Sequence, residues 1–132
     1  MNEPLHIWLI DDDHINNFLT KELINLYCPE NIFVEVHYAE AGIQMLQDLI
    51  DMKKQVPEII LLDLNMPVND GWYFIDKFEK LDDSFTQKIN LYVYTSSLYF
   101  EDINRANSYH SVKKLFSKPL TQENITEIFS RH

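Results

Sequence analysis

The chain has 132 residues, of which 45% are hydrophobic, so residues 1–132 fit one compact domain with a buried core and leave no room for a second. Its 21 acidic and 11 basic residues give a formal charge of −10, which disfavours direct binding to nucleic-acid phosphates. One cysteine excludes an intramolecular disulfide, and the lack of a signal peptide and of an apolar run of about 18 residues predicts a cytoplasmic protein without a membrane span.

The first half of the chain alternates apolar strands with segments of helical periodicity. Strands are predicted at residues 6–10, 33–38 and 58–63, and the third is the most apolar, as expected at the centre of a parallel sheet. Asp13 is placed to cap the helix after the first strand. Two helices are indicated by apolar residues at helical spacing, namely Ile15, Phe18, Leu19, Leu23 and Leu26, and then Ile43, Leu46, Leu49 and Ile50.

The second half continues the alternation. After the turn-rich segment PVNDG come a helix, a strand at residues 89–94, a helix over residues 99–109, a strand at residues 112–116 and a last helix. The inward residues of these three helices are predicted to be Phe74, Ile75 and Phe78, then Ile103 and Ala106, then Ile125, Ile128 and Phe129. Five βα units predict an α/β fold, a doubly wound (βα)5 parallel sheet whose functional crevice lies at the carboxyl ends of the strands.

Polar residues follow four of the five predicted strands. In chain order they are Asp11, Asp12 and Asp13, then Asp63, then Thr95, Ser96 and Ser97, then Ser117 and Lys118. Any one of these groups could simply cap the following helix or lie in solvent. Because all four strands end at the same edge of the sheet, capping alone explains the whole set poorly.

The chemistry of this edge follows from charge. The carboxylates of Asp11, Asp12 and Asp63 would repel one another, and Mg²⁺, which prefers oxygen ligands, would relieve that repulsion. With a reference pKa of about 3.9, Asp63 is expected to be ionised at neutral pH and able to attack phosphorus. Lys118 offers a compact positive charge to a phosphoryl group, and Thr95 can donate a hydrogen bond that exists only when that group is present.

Four segments, LIDDD, ILLDLNMPVNDG, YVYTSS and FSKP, resemble the signature segments of CheY-like response-regulator receiver domains. They occur in the same order and at strand ends, and the resemblance extends from His6 to the last helix. It implies a flavodoxin-like strand order 2-1-3-4-5 and a stand-alone receiver of a two-component system. A histidine kinase or a histidine phosphotransfer protein would phosphorylate Asp63, and a downstream protein would be the target, with no membrane or direct nucleic-acid partner.

The resemblance also assigns roles within the site. Asp12 and Asp63 would bind Mg²⁺ directly, the backbone carbonyl of Asn65 would be a further ligand, and Asp11 would act through water. Thr95 would be the switch hydroxyl and Lys118 the amine that pairs with the phosphoryl group. In addition, Lys118–Pro119 would often be cis, and Gly71 would supply backbone freedom in the loop after the third strand.

The sequence departs from the family pattern near the end of the fifth strand. Leu115 stands three residues before Lys118, where the family usually has an aromatic residue that moves with the threonine. The neighbouring Phe116 is a core residue or a replacement for that aromatic. Tyr92 and Tyr94 on the fourth strand are interpreted as packing residues.

Two other function classes remain as alternatives to a phosphorylated receiver, which would not itself be an enzyme. A haloacid-dehalogenase-like phosphatase also uses an aspartate nucleophile with Mg²⁺, but it needs a second acid where Asn65 stands. A degenerate receiver would be a binding module that works without phosphorylation. That class is expected to lack Asp63, Lys118 or one of the acidic pair, and this sequence keeps them all.

Overall fold

The computed structural model describes residues 4–130, in which strands and helices alternate. The elements are β1 (His6–Ile10), α1 (His14–Tyr27), β2 (Ile32–Val36), α2 (Ala39–Asp51), β3 (Ile59–Asp63), α3 (Gly71–Phe78), α4 (Asp83–Thr86), β4 (Asn90–Thr95), α5 (Phe100–Asn107), β5 (Val112–Ser117) and α6 (Gln122–Phe129). The five predicted strands and five predicted helices are confirmed, with small shifts of their ends. The single-turn helix α4 is an addition.

The five strands form one parallel sheet in the order β2-β1-β3-β4-β5. This confirms the doubly wound fold and its strand order. The chain adds β2 on one side of β1 and β3 on the other, so the switch point of the topology lies between β1 and β3. Ligands of such sheets bind at the carboxyl ends of the strands at this point, which here are followed by the acidic residues.

Helices cover both faces of the sheet, and the side chains of each strand alternate between them. One core joins Ile10, Ile60 and Leu62 to residues of α2 and α3, and the other joins Leu9 and Leu61 to residues of α1 and α6. All five residues of β3 are buried, as its apolar sequence predicts. Within residues 4–130, every helix is too short or too polar to cross a membrane.

Helix α1 is confirmed, but of the five apolar residues that predict it only Leu23 packs against the core, and it does so partly. Ile15, Phe18, Leu19 and Leu26 are between 52% and 85% exposed. The buried residues of α1 are instead Asn16, Asn17, Thr20 and Ile24. Asn16 and Asn17 can be buried because their amide groups hydrogen-bond to Asp11, as buried polar groups require. The apolar spacing thus reveals the helix and not the side that packs.

The loop between β3 and α3 requires glycine at position 71, although not for the predicted reason. Gly71 does not have a positive φ angle; Val68 does, at 71°. A Cβ atom at Gly71 would lie 2.7 Å from the carbonyl oxygen of Asp63 and 2.8 Å from Cα of Leu64. Gly71 therefore allows a close approach of the two backbones. The predicted cis peptide between Lys118 and Pro119 is confirmed.

Candidate functional site

The sheet brings the predicted polar residues together at its carboxyl edge. Asp11 and Thr95 are fully buried, and Asp63 is only 3% exposed. Asp11, Asp12 and Asp63 each offer a carboxylate oxygen, and these oxygens lie within 4.8 Å of one another. Asp13 is not part of this cluster; it caps α1 by accepting a hydrogen bond from the backbone of Asn16 at 3.0 Å, as predicted.

Lys118 supplies the positive charge of the site. Its Nζ lies 2.8 Å from Oδ2 of Asp11 and 3.4 Å from Oδ2 of Asp63. The backbone N–H of Lys118 donates to the carbonyl of Thr95 at 2.8 Å, which holds the start of the β5–α6 loop against the end of β4. Because the amine touches two buried carboxylates, it offsets part of their mutual repulsion.

Asp11 is held by more groups than the sequence predicts. Its Oδ1 accepts from the backbone N–H of Asp13 at 2.9 Å. Its Oδ2 accepts from Nδ2 of Asn16 and from the hydroxyl of Tyr94, each at 3.0 Å, in addition to the contact with Lys118. Burial, and then the charge of Asp11, raise the pKa of Tyr94 well above its usual value, so its hydroxyl remains a donor.

The sequence analysis does not identify Asn16 and Tyr94 as residues of the site. Tyr94 lies in the core as predicted, but its hydroxyl reaches the acidic cluster. One available signal was the position of Tyr94 directly before Thr95 at the end of β4. Another was the polarity of Asn16 on a helix that otherwise looks amphipathic.

The carboxyl group of Asp63 has a raised pKa. Its Oδ1 accepts from the backbone N–H of Asn65 at 3.1 Å. Burial raises the pKa of Asp63, and the charge of Asp11 raises it further, while the Asn65 N–H and Lys118 lower it, leaving a pKa of about 6. The carboxylate is still mainly ionised at neutral pH, although by a smaller margin than its reference pKa suggests.

This raised pKa predicts a pH-dependent stability. Folded Asp63 binds a proton more tightly than unfolded Asp63, whose pKa is near 3.8. The free energy of unfolding should therefore fall as pH rises from about 4 to about 6, by up to about 3 kcal/mol. Without divalent metal, Asp63→Asn should be more stable than the wild type by up to that amount at pH 7.5, and the gain should vanish near pH 3.5.

Urea unfolding in EDTA across this pH range measures the effect. Asp13→Asn is the matched control, because asparagine caps a helix about as well as aspartate and this residue lies outside the carboxylate cluster. A stability difference between Asp63→Asn and the wild type that does not change with pH would contradict the assignment of the raised pKa.

Thr95 is linked to Asp63 through Asn65. The side-chain amide of Asn65 donates to Oγ1 of Thr95 at 2.7 Å, while its backbone N–H holds Asp63. The Thr95 hydroxyl donates to the carbonyl of Ser97 at 3.2 Å and accepts from the Ser97 N–H at 3.3 Å. Thr95 is thus anchored at the start of the β4–α5 loop, with its hydroxyl beside the acidic cluster.

The two residues at the unusual end of β5 differ in burial. Phe116 is buried and packs beside Tyr92, with ring centroids 5.9 Å apart, so it is a core residue. Leu115 is partly buried against the core that faces α2 and α3. Phe116 therefore points to the face of the sheet opposite that of Leu115.

Comparisons with known proteins agree with this architecture. Residues 7–130 match the sequence profile of the response regulator receiver domain. A two-component response regulator from Cytophaga hutchinsonii is 31% identical, with a TM-score of 0.87 over 98% of this chain and 97% of that chain. The Mn²⁺-bound form of response regulator Rcp1 has a similar fold, with 22% identity and a TM-score of 0.74 over 95% of this chain and 88% of that chain.

Among curated proteins, the nitrate/nitrite response regulator protein NarL from Escherichia coli strain K12 is 35% identical over 78 residues. The match covers 59% of this chain and 33% of NarL, so the likeness spans only about a third of that relative. The sequence profile, by contrast, spans nearly all of this chain. The chain belongs to the response regulator receiver domain family.

Proposed function

We propose that Asp63 accepts a phosphoryl group from the phosphohistidine of a histidine kinase or a histidine phosphotransfer protein. The observation that carries this proposal is the contact of Lys118 Nζ with both Asp11 and Asp63, at 2.8 and 3.4 Å. A fixed cation beside a buried carboxylate suits the transfer of an anionic group. A carboxylate with a purely structural role would not need a second acid beside it.

The transfer would proceed by attack of an Asp63 carboxylate oxygen on the phosphorus atom. An O–P bond forms, the P–N bond of the donor breaks, and its electron pair stays on the donor histidine nitrogen, which takes up a proton. The Asn65 N–H holds Oδ1 of Asp63, and Lys118 lies beside Oδ2. The Asp63 carboxylate is thus oriented before the donor arrives, and the Lys118 amine is close enough to pair with the negative charge of the phosphoryl group.

The residues present fit a magnesium ion. All candidate ligands are oxygen atoms, from Asp12, Asp63 and the backbone carbonyl of Asn65, with Asp11 acting through water. The carboxylate oxygens of Asp11, Asp12 and Asp63 lie within 4.8 Å of one another, and a cation would relieve their repulsion. When bound, Mg²⁺ would neutralise negative charge on the phosphoryl group during transfer. The Mn²⁺ in the similarly folded Rcp1 supports a divalent cation here.

A comparison of Asp12→Asn with Asp13→Asn tests the metal site. Mg²⁺ at 100 times its dissociation constant should stabilise the wild type and Asp13→Asn by about 2.7 kcal/mol. Asp12→Asn should lose most of this gain, because only Asp12 belongs to the carboxylate cluster. Thermal melts with Mg²⁺ or EDTA provide the measurement, and equal shifts in both variants would argue against Asp12 as a ligand.

The exposed apolar side of α1 supports a protein donor. Ile15, Phe18 and Leu19 lie on the first turns of α1, which begins directly after the acidic residues 11–13. Large exposed apolar residues on one helix face favour a helical partner, which would bury them. A phosphohistidine carried by such a partner would be placed close to Asp63.

Phe18→Asp tests this docking side. Labelling of Phe18→Asp by phosphoramidate should be unchanged. The donor protein is the phosphorylated kinase or phosphotransfer domain that labels the wild type fastest, and transfer from it should slow by at least about tenfold. The reason is that burying a phenylalanine is worth about 1.5–3 kcal/mol. Met52→Asp, at an equally exposed apolar residue at the end of α2, is the matched control. If both variants accept phosphoryl groups from the donor protein at the wild-type rate, the donor docks on another surface.

Incubation with phosphoramidate and Mg²⁺, followed by intact-mass analysis, tests the core proposal. One added phosphoryl group is expected, and none in EDTA. We propose that the protein then signals through a downstream protein rather than through turnover of a substrate. The two alternatives give other results: a haloacid-dehalogenase-like enzyme would hydrolyse p-nitrophenyl phosphate continuously, and a degenerate receiver would stay unlabelled.

A further inference from the structure

We propose that His14, Glu35 and His37 form a second metal site, separate from the acidic cluster, that binds a divalent transition ion of the Zn²⁺ type. His14 lies in the first turn of α1, Glu35 lies in β2, and His37 follows the end of β2. Each offers one ligand atom, and the three atoms lie within 4.8 Å of one another. No residue of this set belongs to the acidic cluster.

The two imidazole rings are already adjacent. Their centroids are 4.5 Å apart, with 72° between the ring planes. His37 Nε2 lies 3.5 Å from Oε1 of Glu35, which is close to the separation of two ligand atoms on one tetrahedral zinc ion. His14 is exposed, so its side chain can turn toward the other two without disturbing the core.

The carboxylate of Glu35 is prepared to act as a ligand. Lys21 contacts its Oε2 at 2.5 Å, and Nδ2 of Asn17 donates to its Oε1 at 3.2 Å. The hydrogen bond from Lys21, more than any other contact, lowers the pKa of Glu35, so the group is ionised at neutral pH. Metal-ligating carboxylates are commonly held by such outer hydrogen bonds.

A nitrogen atom of His37 has no hydrogen-bond partner. Its Nε2 is buried, and no described residue hydrogen-bonds to it, although Glu35 lies nearby. A buried polar atom without a partner costs free energy, and a metal ion would satisfy the lone pair of a neutral imidazole. A proton shared with Glu35 would also satisfy this atom, so the experiment must separate the two.

The ligand set selects the class of ion. Two imidazole nitrogens and one carboxylate oxygen suit Zn²⁺ and its neighbours in the transition series, whereas Mg²⁺ prefers oxygen ligands alone. Three protein ligands leave at least one coordination position for water or for a side chain of a partner. The ion would also tie the first turn of α1, which follows Asp12 and Asp13, to the end of β2.

Calorimetric titration with Zn²⁺ in saturating Mg²⁺ tests the site. His14→Gln and His37→Gln should each weaken the histidine-dependent Zn²⁺ binding by at least about tenfold, because loss of even an outer hydrogen-bond partner of a metal ligand costs 10–100-fold. His110→Gln is the matched control. His110 lies 3.7 Å from a carboxylate oxygen of Glu79, but no second histidine among the described residues completes a set there.

A second measurement follows the imidazole rings directly. Zn²⁺ should shift the ¹⁵N signals of His14 and His37 together, with one midpoint, while those of His110 stay in place. The Mg²⁺-induced rise in melting temperature should be the same in all variants, which shows that they fold and keep the acidic cluster. Zn²⁺ affinity that is unchanged in His14→Gln and His37→Gln, or reduced equally in His110→Gln, overturns the proposal.

Discussion

Asp63→Asn should take up no phosphoryl group from phosphoramidate under conditions in which the wild type is fully labelled. The reason is chemical, since an amide lacks the anionic oxygen that attacks phosphorus. Asp63 has a backbone N–H on one oxygen and Lys118 within 3.4 Å of the other. Asp11 has the same two kinds of contact, but its Oδ2 also accepts hydrogen bonds from Asn16 and Tyr94, which leaves Asp63 as the less occupied nucleophile. Asp63→Asn should therefore show none of the mass increase that a phosphoryl group gives.

The same substitution is not expected to harm the fold. It removes a charge that burial and Asp11 make unfavourable, so Asp63→Asn should be at least as stable as the wild type at pH 7.5. Intact-mass analysis of Asp63→Asn, with Asp13→Asn as the labelled control, separates loss of the acceptor from loss of structure. If Asp63→Asn is labelled as fast as the control, another residue of the cluster accepts the phosphoryl group.

The fold could be predicted because its periodic signals are local. The buried run of β3 and the inward residues of α3 and α6 are read from consecutive residues and are confirmed. The face of α1 could not be read in this way. Asn16 and Asn17 are buried through hydrogen bonds to Asp11, Glu35 and Tyr94, and two of these three residues come to α1 from distant strands.

The sequence predicts which residues lie at the strand ends that form the site, but not the contacts between them. Strand order alone places Asp11, Asp63, Thr95 and Lys118 at one edge, and the structure brings them together. The partners of each residue follow from side-chain packing, which a linear pattern does not carry. The hydroxyl of Tyr94 reaches Asp11 across 83 positions of sequence, and the amide of Asn65 reaches Thr95 across 30. The raised pKa of Asp63 likewise depends on packing, because it comes first from burial and then from the nearby charge of Asp11.

Thr95→Ala should still accept a phosphoryl group on Asp63 but should lose the conformational response to it. The Thr95 hydroxyl now donates to the Ser97 carbonyl and is not among the groups that hold the Asp63 carboxylate. A phosphoryl oxygen beside it would be a stronger acceptor, because hydrogen bonds to charged groups are worth about 1.5–3 kcal/mol. Because the neutral hydrogen bond that it replaces is worth about 0.5–1.5 kcal/mol, the gain of about 1–1.5 kcal/mol can shift a two-state loop by roughly 5- to 12-fold in population.

The residues expected to respond to phosphorylation come immediately after Thr95 in the chain. Leu98, Tyr99 and Phe100 are exposed apolar residues at the start of α5, so movement of the hydroxyl away from Ser97 would change a surface that is able to bind a partner. Leu115 stands where the family usually has an aromatic residue. We therefore expect the response in this loop, over residues 96–104, and not in a ring flip at position 115.

Amide NMR with and without beryllofluoride, a mimic of the phosphoryl group, measures this response. Residues 96–104 should shift in the wild type and in Thr95→Ser, which keeps the hydroxyl, and should stay nearly fixed in Thr95→Ala. Intact-mass labelling of all three proteins shows that each still accepts phosphate, so a missing shift reflects lost coupling and not lost chemistry. Equal shifts in Thr95→Ala and Thr95→Ser would mean that the signal leaves Asp63 by another route, of which the contact with Lys118 is the nearest.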